Sequence, residues 1–175
     1  MSDMHDGFPE RETIERFYAG RSAVRSGVPY MNHVVEGLRV LDWIDASRDA
    51  KRAFCLHPLV QADDDLRQRC TPGDPFPIDS LTLSSRVLAL AMEYRSVANG
   101  YLSAHGPRTP DQIRLSPLPE VNAMLVADKV QNYKDFLAHH EAHPRAADLD
   151  AYFRAWLERL GVTLETFEAY RSRLS

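Results

Sequence analysis

Few of the usual catalytic signposts occur in this sequence. There are only two cysteines, Cys55 and Cys70, and no Cys-x-x-Cys pair, so a disulfide framework is excluded. No Gly-rich phosphate loop, no Gly-x-Ser-x-Gly segment and no evident Ser/His/Asp order is present, which leaves phosphate-loop and serine-nucleophile chemistry without an anchor. Positive charge is not in excess either. Lys and Arg number 21 against 25 Asp and Glu, a formal charge of −4, and this argues against broad nucleic-acid binding, which needs a basic surface. No apolar run approaches the length of a membrane span, and the segment Met1-Ser2-Asp3-Met4-His5-Asp6 is polar and acidic, unlike a signal peptide. The expected class is a soluble cytoplasmic protein, with no membrane partner and with a homo-oligomer left open.

What the chain does contain is helical periodicity. At 175 residues it fits one domain with a substantial core. The spacing predicts a first helix over Glu10–Ser26 and a second from Pro29 to about Ala46. A third runs to His57, with Ser47 as its N-cap. Residues 63–77, with their acidic, Gly and Pro residues, read as a loop with room for one helical turn. A long helix follows over about 79–105, then a Pro-rich connection over 106–119. A helix from Glu120 to about His140 comes next, and two C-terminal helices, Ala147–Leu160 and Thr163–Leu174, close the chain around Gly161. No segment alternates long enough for a strand. The expected fold is all-α, a single domain spanning 1–175.

Three apolar stripes are interrupted by metal-capable side chains. Asp128 shares a helical face with Val121, Met124, Leu125 and Asn132. His57 ends a stripe of Ala50, Ala53 and Phe54, and His33 shares one with Gly37, Val40 and Ile44. A carboxylate on a core-facing stripe is costly unless paired, hydrogen-bonded or bound to a cation. Each histidine taken singly also fits a hydrogen-bonded core residue. Together the three suggest one shared site. Two neutral imidazoles and a carboxylate with open positions suit manganese, iron or zinc.

The flanking residues carry a resemblance. Ser26-Gly27-Val28-Pro29-Tyr30-Met31-Asn32-His33 resembles the opening segment of the RelA/SpoT-type alarmone (ppGpp) hydrolases of the HD-domain metal phosphohydrolase superfamily. Ala127-Asp128-Lys129-Val130-Gln131-Asn132 is similar to their final metal segment. The likeness covers roughly residues 20–137. It implies an HD-domain-like helical fold, a divalent metal on His33, His57 and Asp128, and metal-assisted hydrolysis of a nucleotide or related phosphorylated small molecule. The middle departs from that pattern. The family is named for a consecutive His-Asp pair, and here Pro58 follows His57. Gln61 and Ala62 stand where the resemblance implies a Glu-Asp pair handling the attacking water. Gln61 can orient a water but is no general base, and Asp63, Asp64 and Asp65 supply a carboxylate if their segment folds back. The alternative is a domain that has lost catalysis and binds a nucleotide or a protein partner.

Cations and polar groups suited to a substrate are Arg25, which precedes the Pro-Tyr segment as a base-stacking arginine does in the resembled family, and Lys129 beside Asp128. Tyr30 and Asn132 complete that set. Arg95 and Asn99, one helical turn apart, either line a pocket or bond each other or a neighbouring loop. The His139-His140-Glu141-Ala142-His143 run is not a His-Glu-x-x-His motif and reads as a polar helix end. Tyr152, Phe153 and Trp156 read as core or interface aromatics.

Overall fold

Eight α-helices, and a 3-10 turn at Pro110–Gln112, are seen among the described residues of the computed structural model, which are 7–24, 26–78, 81–101, 109–139 and 144–174. They are α1 (Pro9–Tyr18), α2 (Tyr30–Trp43), α3 (Arg48–Val60), α4 (Asp63–Arg69), α5 (Ser85–Gly100), α6 (Pro119–His139), α7 (Ala146–Arg159) and α8 (Leu164–Leu174). The fold is all-α. Among the described residues the only β-type pairing is an isolated antiparallel bridge between Ser22 and Pro29. No helix among them is long and apolar enough to cross a membrane.

A single hydrophobic cluster runs through the helices, with Phe54 and Leu56 of α3, Tyr94 of α5, Met124 and Leu125 of α6 and Trp156 of α7 at its centre. Helix α3 packs on α5 and α1, and α6 packs on α2, α5 and α7. The side chains of α2, α3 and α6 therefore meet in the middle of the molecule. Ser47 caps α3 as expected, its Oγ accepting the Ala50 amide at 3.2 Å. Cys55 is buried on α3, and Cys70 is exposed.

Several boundaries differ from the sequence expectation. Helix α1 stops at Tyr18 rather than Ser26, because Ala19 (φ 43°) and Gly20 (φ 72°) turn into the left-handed region. Residues beyond them fold into a tight loop, with the Ala23 amide donating to Val28 O and the Tyr30 amide donating to Arg21 O. Residues 63–69, expected as loop, form α4. Their three aspartates occupy its first turn, where carboxylates complement the helix dipole, and Arg67 and Arg69 lie in the last. Helix α5 begins at Ser85 rather than near 79, because Ser84 caps it by accepting the Val87 amide at 3.2 Å.

Candidate metal centre

His33 projects from the first turn of α2, His57 from the last turn of α3, and Asp128 from the middle of α6. One ligand atom from each lies within 4.8 Å of the other two. His33 Nε2 and His57 Nε2 are 3.1 Å apart, and His33 Nε2 is 3.6 Å from Asp128 Oδ1. Metal–nitrogen bonds of about 2.1 Å set neighbouring ligand nitrogens about 3.0–3.4 Å apart. The three residues that break apolar stripes in the sequence are thus brought together, at a spacing one divalent ion spans.

Burial is deep. His57 is 2% and Asp128 5% exposed. Burial, helped by the charge of His33, lowers the His57 imidazole to about 3, so it is neutral near pH 7. For Asp128, burial alone pushes the carboxyl up. The Lys129 ammonium and the two imidazoles outweigh that and hold it at about 2. Asp128 is fixed on both oxygens, Oδ1 accepting from Asn132 Nδ2 at 2.9 Å and Oδ2 facing Lys129 Nζ at 2.8 Å. Tyr94 packs its ring 4.9 Å from that of His57. Burial, together with the charge of Asp128, keeps its phenol protonated.

The three residues open onto a cavity of about 770 Å³. Gln61, Tyr30 and Asn132 line it as well, and so do Asp135 and the aromatic rings of Tyr18, Phe136 and Phe153. Tyr30 and Tyr18 pack ring against ring, 5.4 Å between centroids. An apolar, aromatic wall beside a small set of convergent polar groups is the usual make-up of a small-molecule site.

Other expected site residues are placed elsewhere. Asp63 pairs with Arg95, Asp64 with Arg67, and Asp65 accepts the Ala62 amide at 3.3 Å. None of the three lines the cavity; helix α4 claims them for its own N-terminus. Asn99 donates to Gln61 O at 2.8 Å, so Arg95 and Asn99 brace the segment around α4 instead of lining the cavity. Lys129 does not line the cavity. It is buried behind Asp128, its ammonium 3.3 Å from Tyr152 Oη and 5.0 Å from the Trp156 ring centre. Arg25 lies outside the described residues, as do His140 and His143; His139 is exposed at the end of α6.

Sequence reasoning missed Glu36, Gln131 and Asp135. Glu36 and Gln131 are buried, and all three join in one polar network with Lys134 next to His33. The available signal was their spacing: Glu36 one turn from His33, and Gln131 and Asp135 one and two turns from Asp128. No protein-family model matches this chain, and no curated protein or solved structure matches it significantly.

Proposed function

We propose that this protein is a divalent-metal-dependent hydrolase of a phosphorylated small molecule, a nucleotide or a close relative, working in the manner of the HD-domain phosphohydrolases it resembles. The observation that carries the reading is the convergence of His33 Nε2, His57 Nε2 and Asp128 Oδ1 at the floor of a cavity. Two imidazole nitrogens and one carboxylate oxygen fit manganese, iron or zinc by donor type. When bound, such an ion lowers the pKa of a water and neutralises charge on a phosphoryl oxygen. The chain's own residues do the rest. Asn132 and Lys129 hold the Asp128 carboxylate in orientation. Gln61, at the cavity wall, is placed to orient a water through its amide. Tyr18, Tyr30, Phe136 and Phe153 enclose the organic body of the substrate and exclude solvent.

A second reading is a domain that binds such a ligand without hydrolysing it. It is favoured by Pro58, Gln61 and Ala62 at the positions where the resembled enzymes carry carboxylates, and by the engagement of Asp63, Asp64 and Asp65 elsewhere. Metal analysis of protein purified without a His tag, followed by reconstitution with Mn²⁺, Fe²⁺ or Zn²⁺ and a phosphate-release assay over a nucleotide and alarmone panel, separates the two. Metal-dependent release supports the hydrolase. Thermal stabilisation by a nucleotide without release supports the binding domain. Failure to take up any of the three ions overturns the metal-dependent mechanism.

A further inference from the structure

We infer that Pro58 and Gln131 are positioning residues that lock the two histidines in one tautomer, with the proton on Nδ1 and the lone pair on Nε2 turned toward Asp128. The inference deepens the metal-centre reading above and rests on it for its purpose, but it stands on separate contacts.

His57 is set by what Pro58 lacks. In an α-helix the amide of residue 58 donates to the carbonyl of residue 54. Proline has no N–H, and Pro58 lies inside α3, so Phe54 O loses that partner. Phe54 is fully buried, where a bare carbonyl is costly. His57 Nδ1 meets it at 2.5 Å. A carbonyl only accepts, so Nδ1 carries the hydrogen and Nε2 is left bare. The proline that breaks the family's His-Asp pair thus orients the histidine before it.

His33 is set by Gln131. The Gln131 Nε2 amide donates to Glu36 Oε2 at 3.2 Å and to Asp135 Oδ2 at 2.7 Å. Lys134 holds both carboxylates, its ammonium 2.7 Å from Glu36 and 3.0 Å from Asp135. Flipping the amide would press its oxygen against two carboxylate oxygens, so the NH₂ group stays on that side. Gln131 Oε1 is then left to accept from His33 Nδ1, at 2.7 Å. In the neutral ring His33 Nε2 is bare in turn. With both imidazoles neutral, two nitrogen lone pairs and a carboxylate oxygen face one another with no hydrogen among them, an arrangement built for a cation. Hydrogen bonds of this kind to the distal ring nitrogen orient metal-ligating histidines and raise their basicity.

The test reads tautomers and metal affinity together, in wild type, Pro58→Ala and Gln131→Leu. Histidine ¹H–¹⁵N correlation spectra of the metal-free protein at pH 8.5 should show both rings protonated at Nδ1. Pro58→Ala restores a helix amide that competes for Phe54 O. It should raise the melting temperature, give His57 an Nε2–H population, and weaken Zn²⁺ and Co²⁺ binding on the order of 10-fold. A structural role alone would not move stability and affinity in opposite directions. Gln131→Leu should release His33 in the same way, with a loss of roughly 10–100-fold. Because Gln131→Leu also strips hydrogen bonds from Glu36 and Asp135 and so costs stability, Pro58→Ala is the deciding variant. An Nε2–H tautomer in either wild-type histidine, or wild-type affinity in both variants, overturns the inference. Wild type that shows both expected tautomers, shifted by the variants, yet binds neither ion overturns the metal-centre reading and upholds the lock.

Discussion

The ring of Phe54 occupies the space that a side chain at position 37 would need: a Cβ built on Gly37 would land on two of its ring carbons. This close approach of α2 and α3 brings the rings of His33 and His57 to 5.1 Å. Phe54 itself packs 4.6 Å from His57 and 5.6 Å from His33. Phe54 is itself fully buried, so in a close-packed interior its ring shifts only by displacing neighbours. Gly37→Ala should therefore destabilise the fold by about 1–3 kcal/mol, the usual cost of overpacking, and weaken Zn²⁺ binding in parallel. Urea unfolding and metal titration of the variant check both. An unaffected midpoint would show that α2 and α3 are not so closely docked.

Acid should weaken the metal-free protein well above the range in which carboxylates titrate. His57 is lowered from 6.5 to about 3 by burial, so between those values the unfolded chain binds a proton that the folded chain refuses. Stability is then full above pH 6.5 and falls with decreasing pH by about 1.4 kcal/mol per unit from this residue alone. Asp128, held at about 2 against an ordinary 3.8, adds a further loss below about pH 4 with the same sign. Denaturant midpoints measured from pH 8 to pH 4 test the slope, and His57→Phe should flatten it.

Asp128→Ala cannot distinguish a metal ligand from a structural carboxylate, because either way it strands the buried ammonium of Lys129. Removing one partner of such a pair costs about 3–5 kcal/mol. The double variant Asp128→Asn/Lys129→Met removes both charges, retains an amide for Asn132 to bond, and should recover most of that stability. Its metal affinity should stay abolished. Recovery of both properties would mean that Asp128 is no ligand.

The three aspartates of α4 should be dispensable to the site. Asp63→Ala and Asp64→Ala break exposed pairs and should change stability by less than about 1 kcal/mol. Asp65→Ala loses a cap bond and should cost about 0.5–2 kcal/mol. None should alter Zn²⁺ affinity. A drop in affinity for any of them would return that carboxylate to the site.

Helix stripes and the meeting of His33, His57 and Asp128 were legible because each interruption of an apolar face announces a polar group turned toward the interior, fully for His57 and Asp128 and partly for His33. The run Asp63–Asp65 misled because its composition suits a loop as well as a helix N-terminus. Lys129 follows Asp128 directly and looked free to reach a substrate. Its long side chain instead runs back beneath the carboxylate into a recess formed by Tyr152 and Trp156, a contact that local sequence does not encode. Gln131 and Glu36 were hidden for a similar reason: they meet across the α2–α6 interface, 95 positions apart. Pro58 read as a lost ligand because its effect arises from an absent backbone hydrogen, visible only once Phe54 O and His57 Nδ1 are seen together.

The seat of Lys129 also decides how much of the chain must stay joined. His33, His57 and Asp128 all lie upstream of α7, yet Tyr152 and Trp156 of α7 shelter the ammonium that steadies Asp128, and Phe153 of the same helix forms part of the cavity wall. A polypeptide cut after residue 137 would leave Lys129 facing water, with its carboxylate partner half released. The stretch that carries these three residues is thus smaller than the stretch that must fold as one. Helix α7 acts as the back plate of a site whose candidate ligands all lie upstream of it.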